Sequence, residues 1–297
     1  MNAFADLQQA LDQSAVVRPQ PELSTLVVTG EERLSWLSGL LTNDVGKLEV
    51  GQATYALAVN RNGKVQSDVW VVVEAERVLL GVPTTEAEAL VVHLDHYLIM
   101  EDAEIAVAEG SWRWWLAHGP EAEAVANAAR AVGADASLTT FNDWPTAVVA
   151  AEGTVHPNLG EELTKPEGTL LATPAGWDRL RVARGLAAFG VDYGSDAYPQ
   201  EARLETFAVS FNKGCYLGQE AVFMLEKRGK PPRRLVRLEL DASVGVGSPV
   251  QRDGTKVGKI TTAVELPDGP RALAMLKTKH SDEGTAVTIG EVGARVL

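Results

Sequence analysis

From Arg233 onward the chain has no stretch of helical periodicity, only short segments in which apolar and polar residues alternate. These run Leu235 to Leu240, Lys256 to Thr261, Ala272 to Leu276 and Ala286 to Ile289, and Asp253-Gly254, Asp268-Gly269 and Glu283-Gly284 separate them. Such dipeptides accept the positive φ of tight turns, and a two-residue period buries one face of a strand. Residues 233–297 are therefore expected to form a small antiparallel β-barrel or sandwich. The boundary falls at Gly229 to Pro232 and leaves 1–229 as a separate region.

That longer region mixes helix and strand. Leu26 to Thr29 reads as a strand, and the spacing of Thr29 and Glu32 ahead of Leu34, Leu37, Leu40 and Leu41 reads as a capped helix ending near Thr42-Asn43-Asp44. Tyr55 to Val59 and Val65 to Val73 flank Asn60-Arg61-Asn62-Gly63, a hairpin signal, and Val78 to Val82 adds a third strand. Thr85 and Glu88 open a second helix running to about Tyr97. Glu104 to Ala108 and Trp112 to Ala117 return to strand, and the Ala-rich Glu121 to Val132 is a helix. The fold class is α+β.

Composition narrows the function. A net charge of -13 opposes a phosphate backbone, so direct nucleic-acid binding is disfavoured outside the basic segment Lys227 to Arg237. No apolar run approaches the roughly 20 residues of a membrane helix, and Met1 to Gln20 lacks the basic start and apolar stretch of a signal peptide, so a cytoplasmic location without membrane partners is expected. Cys215 is the single cysteine, which excludes an internal disulfide and any zinc site built on several thiolates of this chain. His93 and His96 lie on one predicted helix without a third ligand, and no metal site is expected there. Trp112, Trp114 and Trp115 read as core.

The segment Lys213-Gly214-Cys215-Tyr216-Leu217-Gly218-Gln219-Glu220 brackets a thiol and a phenol with glycines, as where backbone turns sharply or approaches a ligand closely. It resembles the KGCYxGQE signature of the folate-binding YgfZ family, iron–sulfur cluster maintenance proteins in the superfamily of the glycine-cleavage T-protein, an aminomethyltransferase. Leu40 to Val45, Gly51 to Asp68, Arg181 to Gly185, Gly190 to Asp192, Pro199 to Glu201 and Arg233 to Leu235 resemble further landmarks of that family.

The resemblance implies a T-protein-like ring of two interleaved, ferredoxin-like α/β subdomains in 1–229, closed by the barrel of 233–297. It implies tetrahydrofolate or a derivative as ligand, a role in assembling or repairing iron–sulfur enzymes together with assembly or client proteins, and an influence on tRNA modification. The folate-binding candidates are Asn60, Arg181, Glu201, Lys213, Tyr216 and Gln219 in the matching segments, together with Arg228 of the basic segment, a cation for a folate glutamate tail or RNA phosphate, of which the acidic net charge favours the small anion. Glu201 suits the amino-pyrimidine edge of a pterin, since a carboxylate accepts two donors side by side. Asp68 and Cys215 are the catalytic candidates: a carboxylate for proton transfer, and a thiol whose reactivity Lys213 favours. Cys215 alone also reads as a small buried hydrophobe. The T-protein's paired acidic residues appear here as Ser67-Asp68, and Ala183 stands where the family has Glu. With one carboxylate of the pair absent, folate-dependent aminomethyl or methyl transfer is the alternative function rather than the first.

Overall fold

The computed structural model describes residues 3–153 and 157–297. It contains two five-stranded sheets and a closed six-stranded antiparallel barrel. The first sheet has the spatial order Ala53–Val59, Val65–Val73, Val78–Pro83, Leu23–Thr29 and Glu104–Val107. The second runs Leu170–Leu171, Val16–Pro19, Trp112–His118, Trp144–Glu152 and Asp135–Phe141. The chain enters the second sheet at Val16, builds the whole first sheet, and returns at Trp112, so the two units are interleaved.

The expected hairpin forms at Asn60 to Gly63, with Gly63 at φ 72 and Asn60 Oδ1 accepting from the backbone N–H groups of Asn62 and Lys64 (2.9 and 3.1 Å). The expected capping boxes do not form. Gly30 takes a positive φ of 97 between Thr29 and the helix Arg33–Ser38, so the cap position moves to Glu32, and Glu86 takes it ahead of Ala87–Asp95. Glu32 instead reaches across to accept from Asp102 N at 2.8 Å.

Trp114 joins the sheets. Its indole is buried and donates to Thr25 Oγ1 at 2.8 Å, and a Cβ on Gly81 would stand 3.0 Å from the ring. The largest buried cluster draws Tyr55, Leu57 and Trp70 from the first sheet, Trp114, Leu116 and Phe141 from the second, and Leu235, Leu273 and Met275 from the barrel. All three units thus share one core.

In the barrel the order is Arg233–Leu240, Gly269–Lys277, Thr255–Leu266, Pro249–Arg252, Ala286–Ile289 and Val292–Val296. It begins at Arg233, directly after the helix Gln219–Arg228 and a four-residue connection.

Candidate functional site

Tyr55 pairs with Trp70, and Leu57 with Asp68, across two antiparallel strands. Alternation places Tyr55, Asp68 and Trp70 on one face, while Ser67, Val69 and Val71 turn to the other. The Tyr55 hydroxyl lies diagonally across the pair and donates to Asp68 Oδ2 at 2.9 Å. It also meets the Tyr193 hydroxyl at 3.2 Å. Asp68 Oδ1 is buried and has no hydrogen-bond partner among the described residues.

Asp68 opens into a cavity of about 670 Å³. One wall is aromatic (Tyr55, Trp70, Phe141, Trp177), and a second comes from Arg18, Gln20 and Glu22. The segment 186–191 supplies a third, fixed where Ala188 N donates to Asp192 Oδ2 at 3.0 Å. Burial raises the Asp68 carboxyl to about 6, against the lowering effect of the Tyr55 hydrogen bond. The phenols of Tyr55 and Tyr193 are pushed well up by burial and then by the Asp68 charge, so both stay protonated donors.

Trp177 and Arg181 reach the cavity from the helix Pro174–Arg184, four residues apart on one face. Thr173 caps that helix by accepting from Gly176 N at 3.1 Å, Pro174 fits its first turn, and Gly185 ends it at φ 76. Arg181 is already engaged: it donates to Asp178 (2.6 Å), Asp192 (2.5 Å) and Thr262 Oγ1 (2.9 Å), and Asp192 accepts from Thr262 in turn. It locks the helix to the barrel and contributes a wall, not a free guanidinium.

Among the described residues, Asp68 and Arg181 are the sequence candidates that line this cavity. Asn60 closes its own hairpin. Glu201 is fully buried away from the cavity, where Arg233 grips both oxygens at 3.0 Å and Tyr198 N donates to Oε2 at 3.1 Å. Three protein donors therefore already sit on its two oxygens. Lys213 Nζ donates to the carbonyls of Ser38, Leu41 and Asn43 at 2.6, 2.7 and 2.8 Å, and burial pulls its ammonium down to about 8.

Tyr216 packs into the shared core beneath Lys213, with its phenol pushed up by burial. Gln219 starts the helix Gln219–Arg228, its N–H held by Tyr216 O at 3.1 Å. The side chain of Arg228 lies outside the described residues. Cys215 is an exposed free thiol in the loop before that helix.

The signature thus packs against two other motifs. Gly218 sits at φ 75, where a Cβ would collide with the Asn60 carbonyl, and Leu217 N donates to Gly39 O at 2.9 Å. Arg18, Tyr55, Trp177 and Tyr193 were not singled out in the sequence. The available signal was Arg18 itself, a lone cation after the apolar run Ala15-Val16-Val17 and the only basic residue before Arg33.

The GCVT N-terminal domain family matches residues 3–154, and the CAF17 C-terminal beta-barrel domain family matches 233–297. The aminomethyltransferase of Rubrobacter xylanophilus is 30% identical over 269 residues, covering 84% of this chain and 72% of its own. A putative chloroplastic transferase of Arabidopsis thaliana is 26% identical over 304 residues, 95% of this chain and 70% of that one. Among solved structures, the glycine cleavage system aminomethyltransferase T from Bartonella henselae superimposes with a TM-score of 0.80 at 22% identity, over 98% of this chain and 88% of that one.

Proposed function

This chain belongs to the aminomethyltransferase family that carries the GCVT N-terminal domain, and from that premise we propose a folate-binding protein that supports iron–sulfur cluster assembly or repair. The observation that carries the folate part is Asp68, which lines a cavity of about 670 Å³ and whose buried Oδ1 has no hydrogen-bond partner among the described residues. A buried acceptor left unpaired costs about 1–3 kcal/mol, which a ligand N–H recovers. Reduced folate offers a planar aminopyrimidine and a planar benzoyl ring suited to the Trp70, Phe141 and Trp177 walls and N–H groups suited to Asp68. Tyr55, backed by Tyr193, holds the other carboxylate oxygen and so fixes the direction of the free one.

What supports the iron–sulfur part is the signature resemblance, the match of the C-terminal barrel, and the exposed Cys215. One thiol cannot hold a cluster that needs four ligands, so a client or carrier protein would share it. An effect on tRNA modification would then follow from iron–sulfur client enzymes rather than from RNA contact, and a cytoplasmic setting fits that role.

A second reading, aminomethyl transfer to folate, has its own support. Ser67 is fully buried on the opposite face of its strand, so its replacement of an acidic residue takes no carboxylate out of the cavity. Asp68, raised to about 6, can exchange a proton near neutral pH. Isothermal titration with tetrahydrofolate and its one-carbon derivatives tests the first reading: saturable binding is expected, weakened about tenfold in Asp68→Asn. Absence of heat with every reduced folate ends it. Methylenetetrahydrofolate formation from an aminomethylated lipoyl carrier at about 1 per second or faster would select the second reading.

A further inference from the structure

We propose that Arg18 is the anion-recognition residue of this cavity, so that its ligand presents a carboxylate to Arg18 and an N–H donor to Asp68. The inference rests on the reading above that the cavity holds a ligand, and it adds the ligand's charge pattern. Arg18 stands in the cavity wall on the strand Val16–Pro19, half-buried. Its guanidinium carbon lies 4.1 Å from the Trp177 ring centroid, so the ring braces one face of the plane.

The hydrogen-bond partners of Arg18 are both neutral. Nε donates to His118 Nε2 at 3.2 Å and Nη1 donates to Gln20 Oε1 at 3.2 Å. His118 is fully buried, its Nδ1 lies 2.9 Å from Thr146 Oγ1, and the Thr146 hydroxyl donates onward to Trp144 O at 3.1 Å. That chain places the imidazole proton on Nδ1 and leaves Nε2 as the acceptor Arg18 needs. Burial and the Arg18 charge hold the imidazole well below its usual range, so it stays neutral. Nη2 makes no hydrogen bond and the guanidinium makes no ion pair among the described residues.

A half-buried cation whose hydrogen bonds all go to neutral acceptors keeps an unpaired guanidinium edge that a ligand anion can take. Glu22 and Asp68 share the cavity without pairing with it, and their charges resist a multiply charged phosphate. Arg181, the other cation in the wall, is already neutralised by Asp178 and Asp192. One carboxylate matches the single free guanidinium edge.

The test uses the two halves of a folate as separate probes, 4-aminobenzoylglutamate for the carboxylate end and 6-methyltetrahydropterin for the uncharged end, with inorganic phosphate as a third. By titration calorimetry, Arg18→Gln should bind 4-aminobenzoylglutamate about ten- to a hundredfold more weakly. Its affinity for 6-methyltetrahydropterin should stay within about twofold, and Arg18→Lys should lie between the two proteins. If the Gln variant does not fold, the Lys variant decides by the same selectivity. Equal losses for both halves, no loss for the carboxylate half, no binding of that half to the unaltered protein, or tighter Arg18-dependent binding of phosphate would each overturn the proposal. If neither pterin nor tetrahydrofolate binds while Arg18-dependent binding of 4-aminobenzoylglutamate persists, the folate reading falls and this one stands.

Discussion

Lys213 and Glu201, in the segments richest in recognisable sequence, have their polar atoms matched inside the protein, whereas Asp68 and Arg18, in the cavity wall, do not. Lys213 has three carbonyls, and Glu201 has Arg233 and a backbone N–H. Asp68 keeps one oxygen free and Arg18 keeps one nitrogen free. Partnered groups of this kind hold elements together, and unpartnered ones in a cavity are available to a ligand. The difference separates residues that fasten the sheets and barrel together from residues whose polar atoms stay open at the cavity.

The largest effect should come from breaking the first region. Arg233→Met leaves the fully buried Glu201 carboxylate with only the Tyr198 N–H, and because Arg233 itself is half-exposed the cost is set by the under-satisfied carboxylate, about 3 kcal/mol. Chemical denaturation should register that loss, and an effect below 1 kcal/mol would mean that the pair is not holding the barrel to the core. Lys213→Met should follow at about 2 kcal/mol, because three carbonyls lose a charge-assisted donor while the cost of burying the ammonium is also removed. Unchanged folate affinity per folded molecule is expected in both variants. A specific loss of binding would move Lys213 or Glu201 to the ligand side of the comparison.

In the second region the sign reverses. The Asp68 carboxyl is raised to about 6 in the folded protein from 3.8, so between those pH values the folded state holds more protons and stability falls as pH rises. Asp68→Asn removes that fall and keeps the Tyr55 hydroxyl partnered. Stability should therefore rise by about 1–2 kcal/mol at pH 7.5, with no gain at pH 4, while reduced-folate binding weakens. Melting curves at the two pH values check it, and a loss of stability at pH 7.5 would show Asp68 to be structural.

The uneven legibility of the sequence has the same physical origin. The barrel and the Asn60–Gly63 hairpin depend on local alternation and on turn residues, which a sequence displays directly. Asp68 was readable because it lies on a well-marked strand. Arg18 was not, since its role depends on His118, 100 residues away, and on Trp177 of a third element. Nothing local to Glu201 announces its pairing with Arg233, 32 residues on. The helix Pro174–Arg184 carried standard start and stop residues in Thr173, Pro174 and Gly185, and its role in the cavity wall appears only once it is packed. Long-range pairing is what single-sequence patterns omit.

The smallest expected effect on stability, and the sharpest division between fold and function, belongs to Cys215. It is exposed, and an added Cβ at the neighbouring Gly214 would meet nothing within 4 Å, so the loop is not packed at that point. Lys213, two residues earlier, has its three protons directed to backbone carbonyls, so the nearest lysine in the sequence does not donate to the thiol. Iodoacetamide should label Cys215 stoichiometrically without denaturant, and Cys215→Ser should shift folding stability by less than about 0.5 kcal/mol, as for surface substitutions generally. Exchange of sulfur for oxygen removes a soft metal ligand at nearly constant size. If the thiol meets a cluster or its carrier, the Ser variant should bind folate normally yet fail to restore iron–sulfur enzyme activity in cells lacking the protein. Full restoration at native expression would remove Cys215 from the functional residues and leave the cavity around Asp68 and Arg18 as the site that matters.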